Sequence, residues 1–238
     1  MRITFLGTSH GIPEPNRRCS CTMIEVDNNI YFIDMGVMAL YDIITFGKKV
    51  EDIKGIFITH LHGDHSNGLF SLVDLINWYY TSCDPKIYLP DLKTKDVFEA
   101  WLGITKAKNR DLDFNESFEG VIYFDDKIKI TAQQTQHCSR SFSYLVECNG
   151  KKVLFSGDLR HPKHDFPHKL CEDKVDLAIL EVAHFPATEY SQIIEKYNFE
   201  HIIFNHYAPR NIPSIQSIKE SFRNTRIDIS NDLMQITL

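Results

Sequence analysis

A chain of 238 residues with 43% hydrophobic and 24% charged residues can bury one sizeable core, which excludes a disordered or low-complexity segment. Its net charge of −6 excludes a general basic surface that would wrap a long nucleic acid, while leaving room for a local basic rim. No apolar run approaches the roughly 18 residues of a membrane span.

In chain order, residues 2–6, 21–26 and 30–34 alternate or run apolar and are read as strands, the last two joined through Asp27-Asn28-Asn29. The opening Met1-Arg2-Ile3-Thr4-Phe5-Leu6-Gly7 lacks the apolar core and cleavage site of a signal peptide. Residues 7–19 are punctuated by glycine and proline and are read as a loop over a cleft. Ile33-Asp34-Met35-Gly36 ends the third strand with a carboxylate ahead of a helix, where an N-cap is the simplest reading. Gly55-Ile56-Phe57-Ile58 is a buried strand by composition, and from Ser66 onward Leu69, Leu72, Val73, Ile76 and Tyr80 recur at helical spacing. Between them, Thr59-His60-Leu61-His62-Gly63-Asp64-His65 places three imidazoles and a carboxylate on one tight strand-to-helix loop. His60 and His62 can point the same way from an extended end while Asp64 and His65 turn away, so the loop can serve two adjacent ions. Imidazole and carboxylate are the ligands that zinc and other first-row metals take.

His60-Leu61-His62-Gly63-Asp64-His65 matches the HxHxDH signature of the metallo-β-lactamase superfamily, which this chain resembles from Gly7 to His206. The loop of residues 7–19 is similar to the opening loop of ribonuclease Z and related phosphodiesterases within it. The resemblance implies an α/β fold, a four-layer αβ/βα sandwich with metals at one edge between two sheets, in one domain over residues 1–238. It also implies that Asp34 orients the histidine loop through hydrogen bonds, beside the N-cap reading.

Further along, residues 86–89 are read as a strand, 91–102 as a helix and 106–119 as a polar loop. Residues 121–124 and 128–135 begin a second set of strands, and the latter runs into Gln136-His137-Cys138-Ser139. Residues 143–148 and 152–155 form a hairpin through Asn149-Gly150, followed by Ser156-Gly157-Asp158. Residues 160–174 are charged, and His161, His164 and His168 there are read as solvent-facing. Residues 175–180 are a strand ending in Glu181, ahead of Val182-Ala183-His184-Phe185; His184 is either a buried imidazole or a proton donor beside the metals. A helix over 189–197, a strand over 201–204 leading to Asn205-His206-Tyr207, a helix opened by Pro213, and strands over 227–229 and 234–238 complete the chain. By resemblance, His60, His62 and His137 hold one metal, Asp64, His65 and His206 the other, and Asp158 bridges them, with Glu181 supporting from behind. The six cysteines (Cys19, Cys21, Cys83, Cys138, Cys148, Cys171) are scattered without CxxC pairs, so reduced thiols in a cytoplasmic protein are expected.

Two divalent transition-metal ions, zinc first and manganese or iron as alternatives, are therefore the expected cofactors. A water shared by them becomes a nucleophile near neutral pH, with Asp64 able to hold its proton, so hydrolysis is expected. Arg140, Arg160 and Arg210 follow His137, Asp158 and His206 closely, and their forks suit an anionic substrate. The expected substrate is a small phosphodiester, a nucleotide or a short nucleic acid. Two departures from ribonuclease Z point away from transfer RNA. No glycine- and lysine-rich arm lies between the sheets, and Ala187-Thr188-Glu189-Tyr190-Ser191 stands where a histidine-serine-threonine stretch is expected. A lactonase-, thioesterase- or β-lactamase-like acyl hydrolase, or a non-catalytic metal-binding protein, are the alternatives.

Overall fold

The computed structural model describes residues 1–107 and 110–238; Lys108 and Asn109, inside the polar stretch read as a loop, lie outside the described residues. The first three strands, β1 (Arg2–Gly7), β2 (Cys21–Val26) and β3 (Asn29–Met35), form an antiparallel meander. Beyond β3 the sheet becomes parallel, through β4 (Ile53–Phe57), β5 (Lys86–Leu89) and β6 (Asp113–Glu116). The second sheet starts as a second meander, β7 (Gly120–Phe124), β8 (Lys129–Thr135), β9 (Ser141–Cys148) and β10 (Lys151–Phe155). It continues in parallel with β11 (Val175–Val182), β12 (Phe199–Tyr207) and β13 (Arg226–Ile229). A last strand, β14 (Gln235–Thr237), returns to the first sheet beside β1. Among the described residues each sheet therefore has seven strands.

The strands read as continuous apolar runs because both faces of each sheet are covered. In β3, Tyr31 and Ile33 enter the core between the two sheets, while Ile30 and Phe32 enter the core beneath the helices of the first sheet. In β11, Leu177 and Ile179 face the inter-sheet core, and Ala178 and Leu180 face outward under the helices of the second sheet. The outer layers are α1 (Ala39–Thr45), α2 (Gly63–Trp78) and α3 (Thr94–Ile104) on one side, and α4 (Pro162–Asp165), α5 (Ser191–Lys196) and α6 (Ile212–Ser221) on the other. The helical spacing of Leu69, Leu72, Val73 and Ile76 puts all four into the first outer core. Each such burial stabilises by about 1.5–3 kcal/mol. The arrangement is helix, sheet, sheet, helix: the α/β sandwich that the resemblance implies.

Two stretches differ from the sequence reading. Within the stretch of residues 106–119, Asp113–Glu116 is a strand, paired parallel with β5 at the edge of the sheet. Its polar residues suit an edge, and Phe114 stacks on Phe98 of α3 at 5.3 Å. Of the three histidines in residues 160–174 only His164 is exposed. His168 Nδ1 lies 2.6 Å from Tyr197 Oη, and His161 Nε2 3.4 Å from Glu189, because buried Phe166 draws the segment onto the core.

Six strands deliver the polar side chains gathered at one edge of the sandwich. The C-terminal ends of β3, β4, β8, β10, β11 and β12 all open there, and every candidate ligand sits on or just after one of them.

Candidate metal centre

His60 and His62 follow β4 on an extended segment, and His62, with φ −63° and ψ 145°, is the N-cap of α2. Helix α2 begins at once, so Asp64 and His65 turn away from the first two histidines. His60 Nε2 and His62 Nδ1 come within 2.9 Å, and His137 Nε2, past the end of β8, lies 3.2 Å from the same His62 nitrogen. On the other side His65 Nε2 and His206 Nε2 are 3.4 Å apart, with Asp64 Oδ2 at 3.5 and 3.7 Å from them. Asp158 stands between the two groups. Its Oδ2 lies 3.7 Å from His60 Nε2 and 3.6 Å from His137 Nε2, and its Oδ1 lies 3.4 Å from both His65 Nε2 and His206 Nε2. That Oδ1 is buried and receives no hydrogen bond.

For His60, His65 and His206, hydrogen bonds at Nδ1 fix which ring nitrogen is turned to the cluster. His65 Nδ1 donates to Asp34 Oδ2 at 2.7 Å, and His206 Nδ1 donates to the Ser9 carbonyl at 2.8 Å. Thr59 donates both its N–H and its hydroxyl to Asp34, which leaves the Thr59 oxygen to accept from His60 Nδ1 at 3.1 Å. Each of these bonds assigns a proton to Nδ1 and turns Nε2 inward. Asp34 makes these contacts and does not cap α1, whose N-cap is Met38.

The electrostatics fit a cation. Burial alone pushes the His65 imidazole down, but Asp158, Asp34 and Asp64 together lift it to about 10. Burial drives His60 far below the ordinary histidine range and lowers His137 to about 4. Burial also opposes the charge on Asp158, yet His206 and His65 hold its carboxyl well below the usual range. A buried carboxylate with an unbonded oxygen, ringed by imidazole nitrogens of which the His65 Nε2 holds a proton that a bound cation would displace, is a donor set that divalent metal ions satisfy.

The family model for the anti-Pycsar protein Apyc1 matches residues 1–195. The chain belongs to the Apyc1 family. It is also 31% identical over 180 residues to ribonuclease Z of Listeria monocytogenes serotype 4a, a match covering 74% of this chain and 55% of that protein. This Apyc1-family chain thus spans about half the length of the ribonuclease Z relatives it matches. Among solved structures, the short form of human tRNase Z superposes with a TM-score of 0.75 at 20% identity, covering 100% of this chain and 99% of the other. The metallo-β-lactamase fold protein YhfI of Bacillus subtilis superposes with a TM-score of 0.76 at 14% identity, covering 99% of each. The fold is therefore the metallo-β-lactamase fold. Among the described residues no helix is long and apolar enough to cross a membrane.

The other predicted residues of this Apyc1-family chain divide. Glu181 is buried at the end of β11, where it accepts from the backbone N–H of Leu159 at 2.9 Å and of Ala183 at 2.8 Å. His184 Nδ1 lies 3.0 Å from Glu181 Oε1, and its Nε2 faces Asp158 Oδ2 at 3.8 Å. The bond to Glu181 raises the His184 imidazole to about 9. Arg160 is exposed, and its guanidinium makes no hydrogen bond or ion pair among the described residues. Arg210 is exposed too, and donates to the Ala183 carbonyl at 2.8 Å, beside His184. Arg140 departs from the expectation. Its guanidinium is held by Glu116 at 2.5 Å and by the Pro90 carbonyl at 2.7 Å, because the loop after β8 leans onto the edge strand β6. It clamps one sheet to the other and presents no open fork to the cleft.

The opening loop is part of the site in a way the sequence did not reveal. Gly11 N–H donates to Asp64 Oδ2 at 3.0 Å, and Ser9 bridges to Tyr207 beside His206. Gly36 is the matching contact from β3: a Cβ there would stand 1.8 Å from the Asp64 carbonyl. The Asp64 atoms it would meet belong to main chain, so relief requires moving the ligand loop. Gly36→Ala is expected to destabilise by about 1–3 kcal/mol and to reduce bound metal, read by thermal melting and metal analysis. A variant matching the parent in both measurements would show that the contact does not constrain the loop.

Proposed function

We propose that this chain is a two-metal phosphodiesterase acting on a small anionic phosphodiester, such as a cyclic nucleotide or a short nucleotide. In this reading His60, His62 and His137 hold one ion, Asp64, His65 and His206 hold the other, and Asp158 bridges them. The observation that carries it is the division of the Asp158 carboxylate, one oxygen toward each cluster of imidazole nitrogens. When bound, two divalent ions supply an acidified water as nucleophile and neutralise charge on the phosphoryl oxygens. Zinc suits five imidazoles, and the two carboxylates also accept manganese or iron.

The chain's own residues orient and move protons. Asp64, steadied by the Gly11 N–H, holds the proton given up by the nucleophile. His184, its Nδ1 bonded to Glu181, presents Nε2 on the exposed side of the site and donates to the leaving oxygen. Arg160 and Arg210 draw the anion to the same side. The ribonuclease Z relatives support phosphodiester chemistry. A small substrate is supported by the connection between the sheets, where only Ser117, Phe118 and Glu119 separate β6 from β7 and no arm is inserted.

The test is a substrate panel on metal-analysed protein, with cyclic and linear phosphodiesters set against a lactone and a thioester. Turnover of the acyl substrates alone selects the acyl-hydrolase alternative, and metal without turnover of either class selects a binding protein. The arginines sharpen the comparison. Arg160→Gln and Arg210→Gln are expected to lower kcat/KM for the phosphodiester by roughly tenfold, the loss of one charged hydrogen bond, and to leave a neutral lactone unchanged. Arg140→Gln, held by Glu116, should affect both substrates alike. Equal effects of Arg160→Gln on both substrates would remove it from substrate capture.

A further inference from the structure

Asp165, at the end of the short helix α4, was not among the residues singled out from the sequence. Its carboxylate is buried at 6% exposure, although it has no salt-bridge partner among the described residues. One oxygen accepts the backbone N–H of Gln136 at 2.6 Å, and the other accepts the backbone N–H of Arg160 at 2.8 Å. Gln136 directly precedes His137, and Arg160 comes two residues after Asp158. These two loops leave β8 and β10, which are not neighbours, since β9 lies between them. No ladder bond can therefore fix the spacing of His137 and Asp158. Beyond the strand ends, one carboxylate spans the gap, with a weaker contact from the Thr135 hydroxyl to the Asp158 carbonyl at 3.5 Å.

We infer that Asp165 is a positioning residue that sets the separation of His137 from Asp158, and so tunes the His60/His62/His137 metal position selectively. The inference rests on the two-metal reading above. The second position, built on Asp64, His65 and His206, shares only Asp158 with the gap that Asp165 spans. Fixing a ligand from behind is worth about 10–100-fold in metal affinity in comparable sites. Both carboxylate oxygens of Asp165 are taken by backbone N–H groups of the two ligand loops, which is consistent with a positional role.

Asp176 provides the control. It too is buried and accepts a backbone N–H, that of Lys152 at 2.9 Å, but at the opposite end of β10. The experiment is stepwise titration of the chelator-stripped full chain with Co2+, followed by ligand-field absorption, for the parent, Asp165→Asn and Asp176→Asn. The expected result is two equivalents in the parent and in Asp176→Asn. In Asp165→Asn, one equivalent binds as in the parent and one is weakened about tenfold or more, with an altered absorption band. Two equivalents of parental affinity in Asp165→Asn, or equal weakening in Asp176→Asn, overturns the role of Asp165 and leaves the two-metal reading standing. A parent chain that takes up no cobalt overturns the two-metal reading and this inference with it. Asp165→Glu, with two oxygens on a longer arm, carries the same comparison if Asp165→Asn does not fold.

Discussion

Asp158→Ala is expected to take the purified protein from two bound transition-metal ions per chain to one or none, and to reduce turnover to background. The size of the effect follows from position. Each histidine faces one cluster, whereas Asp158 has an oxygen within 3.4–3.7 Å of a ring nitrogen in both. Its removal also takes away the principal anion that lifts His65, leaving Asp34 and Asp64 on one side and no carboxylate facing the His60, His62 and His137 nitrogens. His62→Ala is the graded comparison: an exposed ligand belonging to one cluster alone, it should lower the count by about one ion. Metal analysis after exhaustive dialysis, with circular dichroism to confirm folding, makes the measurement. Unchanged metal content in both variants, or a parent chain that holds no ion after supplementation, would rule out the dinuclear centre.

His184→Ala should cost roughly a hundredfold or more in kcat while leaving metal content unchanged, the range for a lost general acid. His184 approaches Asp158 only at 3.8 Å and is anchored by Glu181, which is why loss of the ring should spare the ions. The pH dependence carries a sign. A general acid acts in its protonated form, and the Glu181 carboxylate raises His184 to about 9, so the proton is present at neutral pH and is lost as pH rises through that value. Activity should therefore fall on the alkaline side, at or below about pH 9, since bound cations lower the imidazole further. Glu181→Gln should move that limb to lower pH. A profile that stays put in Glu181→Gln, together with full activity in His184→Ala, returns the residue to a structural role.

Much of this was legible locally. The HxHxDH loop is a contiguous motif, and its strand before and helix after follow from β-branched composition and from the spacing of Leu69, Leu72, Val73 and Ile76. The Asn149-Gly150 hairpin is equally local, both residues adopting positive φ (50° and 76°) as a tight hairpin turn requires. Such signals are carried by neighbours in the chain, so composition and period suffice to read them.

What escaped the sequence depends on contacts between distant segments. Asp34 and His206 are each the extra residue of a β-bulge, skipped where Cys21↔Met35 gives way to Thr22↔Ile33 and where Glu181↔Asn205 gives way to Val182↔Tyr207. Both hold positive φ, 60° and 47°, which non-glycine residues adopt only when the surroundings compel it. No period in the sequence announces a bulge, because it is defined by the register of a partner strand. For the same reason nothing near Asp165 indicates that it bonds to Gln136 and Arg160, or near Arg140 that it pairs with Glu116. The sequence by itself determined which residues can bind metal and which elements deliver them. Only the packing of the two sheets decided which ring nitrogens face inward, because that choice rests on hydrogen bonds between residues as far apart as Ser9 and His206.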